Sequence, residues 1–378
     1  MRVTAVVACP TGAPEAQGFV NRDRLVLDAL RAAHDITVVG VAARPGDVLE
    51  LVDRSLVEPE LLERPTTLWS RLARLAALRS GRLQAPERRL RAAIAATAPD
   101  AILVLALWHA ELVRSATGLA PIAFFAEERL GRSRAGGPGR RPSLSRSLRR
   151  AELAAGSSAD VVVVLREEDR HWAEQRFSTP ALVIPHGIDV AYWAADAPGA
   201  ADAGPVDVVL VANLTMGRTA EPLVEIIDHL AAAGWPAGLR IRLVSAAGYH
   251  PSLVERAGPG VELVGPVEDP RPLYRSATAT LVPAFEANGV KNGIIQGWAA
   301  GCPVVTTPGS AATVGGIDGV DVLVGADPAE VAAILAGLGG RADLEGLVER
   351  GRSGLEQRFG SDEHDRRARG LVDRLIDG

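Results

Sequence analysis

Between Pro283 and Val305 the chain reads Pro-Ala-Phe-Glu-Ala-Asn-Gly-Val-Lys-Asn-Gly-Ile-Ile-Gln-Gly-Trp-Ala-Ala-Gly-Cys-Pro-Val-Val. A short polar loop, Glu286 to Asn292, separates an apolar strand-like run from an apolar helical one. Where a loop turns into a helix, unpaired peptide N–H groups gather and the helix dipole adds positive potential, a combination suited to an anion such as a diphosphate. Glu286, Asn288, Gly289, Val290 and Asn292 are therefore candidates to line that anion. Lys291 is the only lysine in the chain; it reads either as a phosphate partner or as a surface lysine. Gln296 lies four residues past Asn292, on nearly the same helix face. Its amide is suited either to sugar hydroxyls or to buried backbone. Gly301 reads as a left-handed cap on the helix, and Thr306, Thr307 and Gly309, after the next apolar run, are placed to frame a ligand.

A strand and a helix must hold such a loop, and the rest of the sequence supplies many of both. The chain has 378 residues, 47% of them hydrophobic and 23% charged. That length exceeds one ordinary core and suits two domains, and the composition does not favour disorder. Aromatics make up only 4%, so Ala, Val, Leu and Gly must fill the interior, as in parallel sheets covered by alanine-rich helices.

Strand-like runs occur at Val3–Cys9, Ile36–Val39, Ala101–Ala106, Pro121–Phe125, Ala159–Leu165 and Ala181–Ile184. Helical spacing follows the first of them at Leu25, Leu27, Leu30 and Ala33, and residues 48–98 read as helical in tone. From Ala194 to Pro205 the chain becomes Ala, Asp, Gly and Pro without periodicity, a linker pattern. The rhythm then restarts with runs at Val208–Val211, Leu239–Val244, Val261–Leu263, Ala279–Val282 and Pro303–Thr306. The expected architecture is α/β, with two facing, doubly wound parallel sheets. The domains are expected at 1–193 and 206–354 around a 194–205 linker, followed by a 355–378 helical tail that can cross back to the first domain. In such sheets ligands collect at the carboxyl ends of the strands. Trp108-His109, Glu127-Glu128 and Pro185-His186 each follow a strand-like run there. His186 reads as ordering a turn, and the two glutamates read equally as acceptor ligands or as a solvated helix start.

Several classes are disfavoured. Cys9 and Cys302 are the only cysteines and form no metal or redox spacing. Neither a Gly-x-x-x-x-Gly-Lys-Ser/Thr loop nor a Gly-x-Gly-x-x-Gly fingerprint is present. The net charge of -5 weighs against nucleic acid as a partner. The apolar run at the amino end is too brief for a membrane span and unlike a signal peptide, which makes a cytoplasmic protein the expectation. From Arg129 to Arg150 the chain holds a run of arginines among Gly and Pro. That run reads as a solvated loop or as a weak contact with anionic substrate or a membrane surface.

Taken together, these segments resemble the GT-B glycosyltransferases, particularly the retaining family-4 type. Ala159-Asp-Val-Val-Val-Val-Leu-Arg-Glu-Glu-Asp169 and Val183-Ile-Pro-His-Gly-Ile-Asp189 are similar to two of that family's segments. So are Gly265-Pro-Val-Glu-Asp-Pro-Arg-Pro-Leu-Tyr274 and the stretch from Gly289 through Gln296 to Val305. The resemblance implies a nucleotide-sugar donor (UDP-, GDP- or dTDP-linked), a small hydroxyl acceptor, retention of configuration, no essential metal and no tightly bound cofactor. It implies a nucleobase beside Gly265, Val267 and Leu273. It also implies a glycine loop at Gly12 and Gly18, close to donor or acceptor, and a phosphate contact from Arg218. His109 becomes a candidate for holding the donor sugar or acceptor, against a structural role. The chain departs from the family pattern at Gln296 and Asn288, where the family has glutamates, and at Gly293, where it has lysine; Lys291 stands nearby as a substitute. A hexose-transferring enzyme, monomeric or homodimeric, is the expectation. The alternatives are a nucleotide-sugar epimerase or hydrolase on the same fold and a catalytically weakened donor-binding subunit.

Overall fold

The computed structural model describes residues 1–9, 18–42, 52–58, 83–105, 110–126, 152–194, 206–285 and 289–377. The chain divides into two compact units, Met1–His186 with His364–Gly378, and Gly187–Glu363.

In the first unit the strands are β1 (Arg2–Cys9), β2 (Asp35–Ala42), β3 (Arg54–Val57), β4 (Ala101–Leu105), β5 (Ile122–Phe125), β6 (Val161–Val164) and β7 (Ala181–Val183). They form one parallel sheet in the order β3-β2-β1-β4-β5-β6-β7. Strands β4, β5 and β6 are buried at every position, the mark of a sheet covered on both faces. Because successive side chains alternate, Val3, Ala5 and Val7 face one core with Leu27 and Leu30 of helix α1 (Gly18–Arg31). Val6, Ile102 and Val104 face the other. There they meet α2 (Ala85–Ala95), α3 (Ala110–Ala116) and α4 (Glu167–Phe177).

Strand β3 corrects the reading of 48–98 as helical in tone. Its four residues, Arg-Ser-Leu-Val, sit at the sheet edge, three of them exposed, and pair with Val39–Ala42. An edge strand with little to bury carries no alternation to betray it.

The second unit contains β8 (Val206–Val211), β9 (Leu239–Val244), β10 (Val261–Gly265), β11 (Ala279–Val282), β12 (Val304–Thr306) and β13 (Leu323–Val324). These are parallel in the order β10-β9-β8-β11-β12-β13. Its helices are α5 (Val190–Ala194), α6 (Gly217–Ala232), α7 (Pro251–Val254), α8 (Arg271–Ser276), α9 (Asn292–Ala300), α10 (Pro308–Ala312), α11 (Pro328–Gly337), α12 (Leu344–Arg352) and α13 (Leu355–Phe359). Leu223, Ile226 and Leu230 of α6 pack on the face carrying Val208, Leu210 and Leu281. Ile294, Ile295 and Trp298 of α9 pack on the opposite face, with Val209 and Val304.

The last helix, α14 (Ser361–Asp377), returns to the first unit from His364 onward. Its Leu371, Val372 and Leu375 join the core that holds Leu27 and Leu30. Val183, Ala29 and Pro185 tie it by hydrogen bonds: Arg367 donates to the Val183 carbonyl (3.3 Å), Arg369 Nε to that of Ala29 (3.3 Å), and His364 Nδ1 lies 2.9 Å from the Pro185 carbonyl.

Helix α9 ends as its sequence requires. Gly301 sits at φ 76°, ψ 27°. The N–H of Cys302 reaches the Gly297 carbonyl (2.8 Å) and that of Gly301 the Trp298 carbonyl (3.2 Å), a Schellman closure. Nothing crowds a Cβ at Gly301, its nearest neighbour being an arginine tip 3.9 Å away. Gly301→Ala should therefore lose only the left-handed conformational preference, about 1 kcal/mol, read as a lower urea midpoint with an unchanged slope.

Candidate functional site

Strands β8 and β11 are neighbours, Val208 pairing with Ala279 and Val209 with Thr280. The helices that follow them leave to opposite faces of the sheet. This is the topological switch point of the second sheet, where a crevice opens beyond the strand ends. Neither N-cap residue, Met216 of α6 nor Lys291 of α9, caps its helix with its own side chain, and neither helix has an acidic residue in its first turn. The Glu221 carboxylate lies against Gly217 at the start of α6, whereas the first turn of α9 holds no acidic residue, and its positive dipole end favours a negative ligand.

At the α9 mouth, Gly289 is buried with φ 61°, a left-handed turn that suits glycine. Val290 packs on the core beneath the helix, fixing the loop's height. Lys291 is the half-buried N-cap residue, extended at φ -92°, ψ 91°, and its carbonyl accepts the Ile294 N–H at 3.0 Å. Asn292 and Gly293 form the first turn. A Cβ on Gly293 would stand 3.0 Å from Val282 Cγ2 and 3.8 Å from the Tyr274 hydroxyl, so glycine here leaves the floor of the mouth open. Gly297 lets the helix lie close on the sheet, because a Cβ there would press on Thr280 (2.8 Å) and Val304 (2.9 Å).

Thr306 and Thr307 do a different job from framing a ligand. Both are fully buried. Thr306 Oγ1 donates to the Val282 carbonyl at 2.9 Å, and the Thr307 and Ser310 hydroxyls donate to that of Ala284. Together they pin the exit of β11, the segment that leads into the loop. Gly309 lies inside α10.

Gln296 is half-buried on α9, and its Oε1 accepts the Tyr274 hydroxyl at 3.2 Å. Tyr274 is fully buried on α8 with its ring edge-on to Trp193, centroids 5.6 Å apart. Burial pushes its phenol well above the ordinary tyrosine range, so it remains a proton donor. Its place as the last residue of Gly265–Tyr274 gave no hint of this role: no periodicity or spacing ties it to Gln296, 22 residues on. Cys302, behind the helix, is a buried thiol also driven upward by burial and so inert as a nucleophile.

Gly265 ends β10, its N–H bonded to the Tyr249 hydroxyl. Val267 and Leu273 are half-buried against the core under α9. The turn between them is braced by Arg271, which pairs with Asp269 at 2.8 Å, donates to the Tyr192 carbonyl at 2.8 Å and stacks 3.5 Å over the Tyr192 ring. Hydrogen bonding to Arg271 holds the Asp269 carboxyl below the usual range.

Other candidates are only partly placed. Arg218 is in the first turn of α6, its side chain outside the described residues. Glu286, Asn288, Gly12, His109, Glu127, Glu128 and the Arg129–Arg150 run also lie outside them. The chain to Gly12 leaves from β1 and that to His109 from β4, adjacent strands flanking the switch point of the first sheet. Gly18 opens α1, and His186 is buried. Among the described residues no three His, Cys, Asp or Glu side chains cluster to suit a metal, and no helix is long and apolar enough to cross a membrane.

The family model of the glycosyl transferases group 1 matches residues 205–339, a span that includes β8 to β13 and both helix mouths. No curated protein matches the chain in sequence. Among solved structures, sucrose-phosphate synthase from Thermosynechococcus elongatus aligns over 100% of both chains with TM-score 0.73 at 18% identity. HepE of Anabaena, solved with UDP-glucose, aligns over 98% of this chain and 99% of its own, with TM-score 0.71 at 12% identity. A mutant of TarM from S. aureus, solved with UDP among its ligands, covers 98% and 99% at TM-score 0.69 and 8% identity. Two parallel, doubly wound sheets followed by carboxyl-terminal helices, matched end to end by these proteins, make this the GT-B fold.

Proposed function

We propose that this GT-B chain, whose second unit carries the glycosyl transferases group 1 signature, transfers a hexose-type sugar from a nucleoside diphosphate to a hydroxyl group. The acceptor is a small metabolite or a glycan or lipid precursor, and transfer proceeds with retention and without a required metal. The observation that carries the reading is the pair of helix amino ends beyond β8 and β11, at the switch point of the sheet, with the chain's single lysine at one of them.

As the bond from sugar to phosphate breaks, charge accumulates on the departing diphosphate. Peptide N–H groups from Gly289 to Gly293, the Lys291 ammonium and the Arg218 guanidinium are the groups assigned to hold it. Peptide N–H groups at a helix start are fixed before the reaction, so little reorganisation is needed as charge develops. The oxocarbenium-like sugar is then taken by the acceptor hydroxyl on the face the phosphate leaves, the hydroxyl proton passing to the departing phosphate oxygen. His109 is assigned to hold the sugar or acceptor; Gly12 and Gly18 allow close backbone approach. Gly265, Val267 and Leu273 are assigned to border the base. Among donors, UDP-sugars come first, since HepE and TarM were solved with UDP-containing ligands.

A second reading, a donor-binding partner subunit with weakened catalysis, draws on one observation. Gln296 brings no negative charge, and its carbonyl is already engaged by Tyr274. A thermal-shift screen of UDP-, GDP- and dTDP-sugars tests the donor. A ligand at about ten times its Kd adds about 1.4 kcal/mol, so one of them should raise the melting temperature by a few degrees. A product assay over an acceptor panel then separates enzyme from binder. No shift with any donor would remove the proposal.

A further inference from the structure

We infer that Tyr274 is a positioning residue that fixes the Gln296 amide with its NH2 end turned outward, so that the α9 mouth presents hydrogen-bond donors to an acceptor oxygen of a bound nucleoside diphosphate. The inference rests on the donor-site reading above and adds to it the orientation and polarity of one group.

Glutamine has one carbonyl oxygen and an NH2 with two donors. Tyr274 has only one proton to give, and at 3.2 Å its hydroxyl meets Gln296 Oε1; the Thr280 hydroxyl also lies beside the phenol and gives its own proton to the Val209 carbonyl at 3.1 Å. The phenol is wholly buried, which keeps that proton in place at any working pH. Its ring is held by the edge contact with Trp193 and its peptide N–H by the Pro270 carbonyl at 3.2 Å. The oxygen end of the amide is thereby fixed from a rigid side. The nitrogen end, turned away from the phenol, meets no other hydrogen-bonding group among the described residues, and Gln296 is not fully buried.

Access to this corner comes from Gly293, one turn earlier. Any Cβ there would stand 3.8 Å from the Tyr274 hydroxyl and tight against Val282. Four features thus agree: a buried donor, an amide with one end engaged, a missing side chain beside it and an uncapped helix end within one turn. The Tyr274 ring shares the core that holds α9 with Ile294, Ile295 and Trp298, so its ring packs while its hydroxyl serves the amide.

Calorimetric titration of UDP, GDP and dTDP into the wild type, Tyr274→Phe, Gln296→Ala and the double variant tests this. Phe retains the ring contact, and apo melting temperatures check the fold. For the nucleotide that binds the wild type, Gln296→Ala should raise Kd by about five- to tenfold and Tyr274→Phe by about threefold, in keeping with a single neutral hydrogen bond. In the Gln296→Ala background the Tyr274→Phe change should be nearly silent, within about 1.5-fold, because Tyr274 acts only through that amide. Equal weakening in both backgrounds, or none in either, overturns the inference while leaving the donor site standing. Binding of none of the three nucleotides to the wild type overturns the donor site and the inference with it. Should Tyr274→Phe fail to fold, Gly293→Ala replaces it: at least threefold weaker nucleotide binding supports the arrangement, and unchanged binding overturns it.

Discussion

Trp298→Ala should lower the stability of the second unit by about 3–5 kcal/mol, seen as an early unfolding transition in urea. The indole is fully buried on the inner face of α9. Its N–H donates to the Asp321 carbonyl at 2.8 Å, and the Arg358 guanidinium lies 5.2 Å from its ring centre. Gly351 of α12 is there to admit it, since a Cβ at that position would overlap the ring. Truncation leaves a large cavity and an orphaned carbonyl whose desolvation adds to the loss. It also frees the helix whose amino end is proposed to hold the diphosphate, so nucleotide binding should fall together with stability. A loss below about 1.5 kcal/mol would mean that α9 is held by something other than this anchor.

Lys291→Ala should lower kcat/KM about ten- to a hundredfold, equivalent to about 1.4–2.7 kcal/mol of transition-state stabilisation, while the apo melting temperature stays within about 2 °C. The residue stands at the N-cap of α9, where its backbone, rather than its side chain, contributes to the helix start. A charge-assisted hydrogen bond to a phosphate oxygen is worth about 1.5–3 kcal/mol. Because negative charge grows on the leaving group, much of the loss should fall on kcat. Arginine at the same position should recover only part of the activity, its planar fork replacing a compact ammonium. Unchanged kinetics in Lys291→Ala would take the residue out of the site.

The elements of this fold were legible where they bury apolar residues on both sides. Runs such as Val161–Val164 or Ala101–Leu105 have no other stable setting than the middle of a parallel sheet. The Gly301 cap was legible too, because one residue type dominates that backbone conformation. Strand β3 was not: four mostly exposed residues borrow their conformation from β2 and carry no pattern of their own. Nor was β13, two residues long.

For the candidate site, the sequence singled out a stretch of chain but not the packing duties within it. Thr306 and Thr307 had the residue types of ligand contacts, yet their hydroxyls are taken by carbonyls at the exit of β11. Hydroxyl groups next to a crevice look alike in sequence whether they face a ligand or a neighbouring strand. Gln296 stood between a ligand role and a structural one, and the structure gives its two ends different surroundings, the oxygen bonded to Tyr274 and the nitrogen without a bonded neighbour among the described residues. That division depends on a partner 22 residues earlier, on another helix, which local spacing cannot reveal.

Hydrogen exchange across Gly289–Ile295, with and without a saturating nucleotide-sugar, tests the account at its centre. If these peptide N–H groups hold a diphosphate, they should exchange at least about tenfold more slowly in the bound protein, a gain of about 1.4 kcal/mol in local protection. The effect should shrink in Lys291→Ala. A donor that binds and protects other segments while this peptide exchanges at its free rate would place the diphosphate elsewhere and contradict the account.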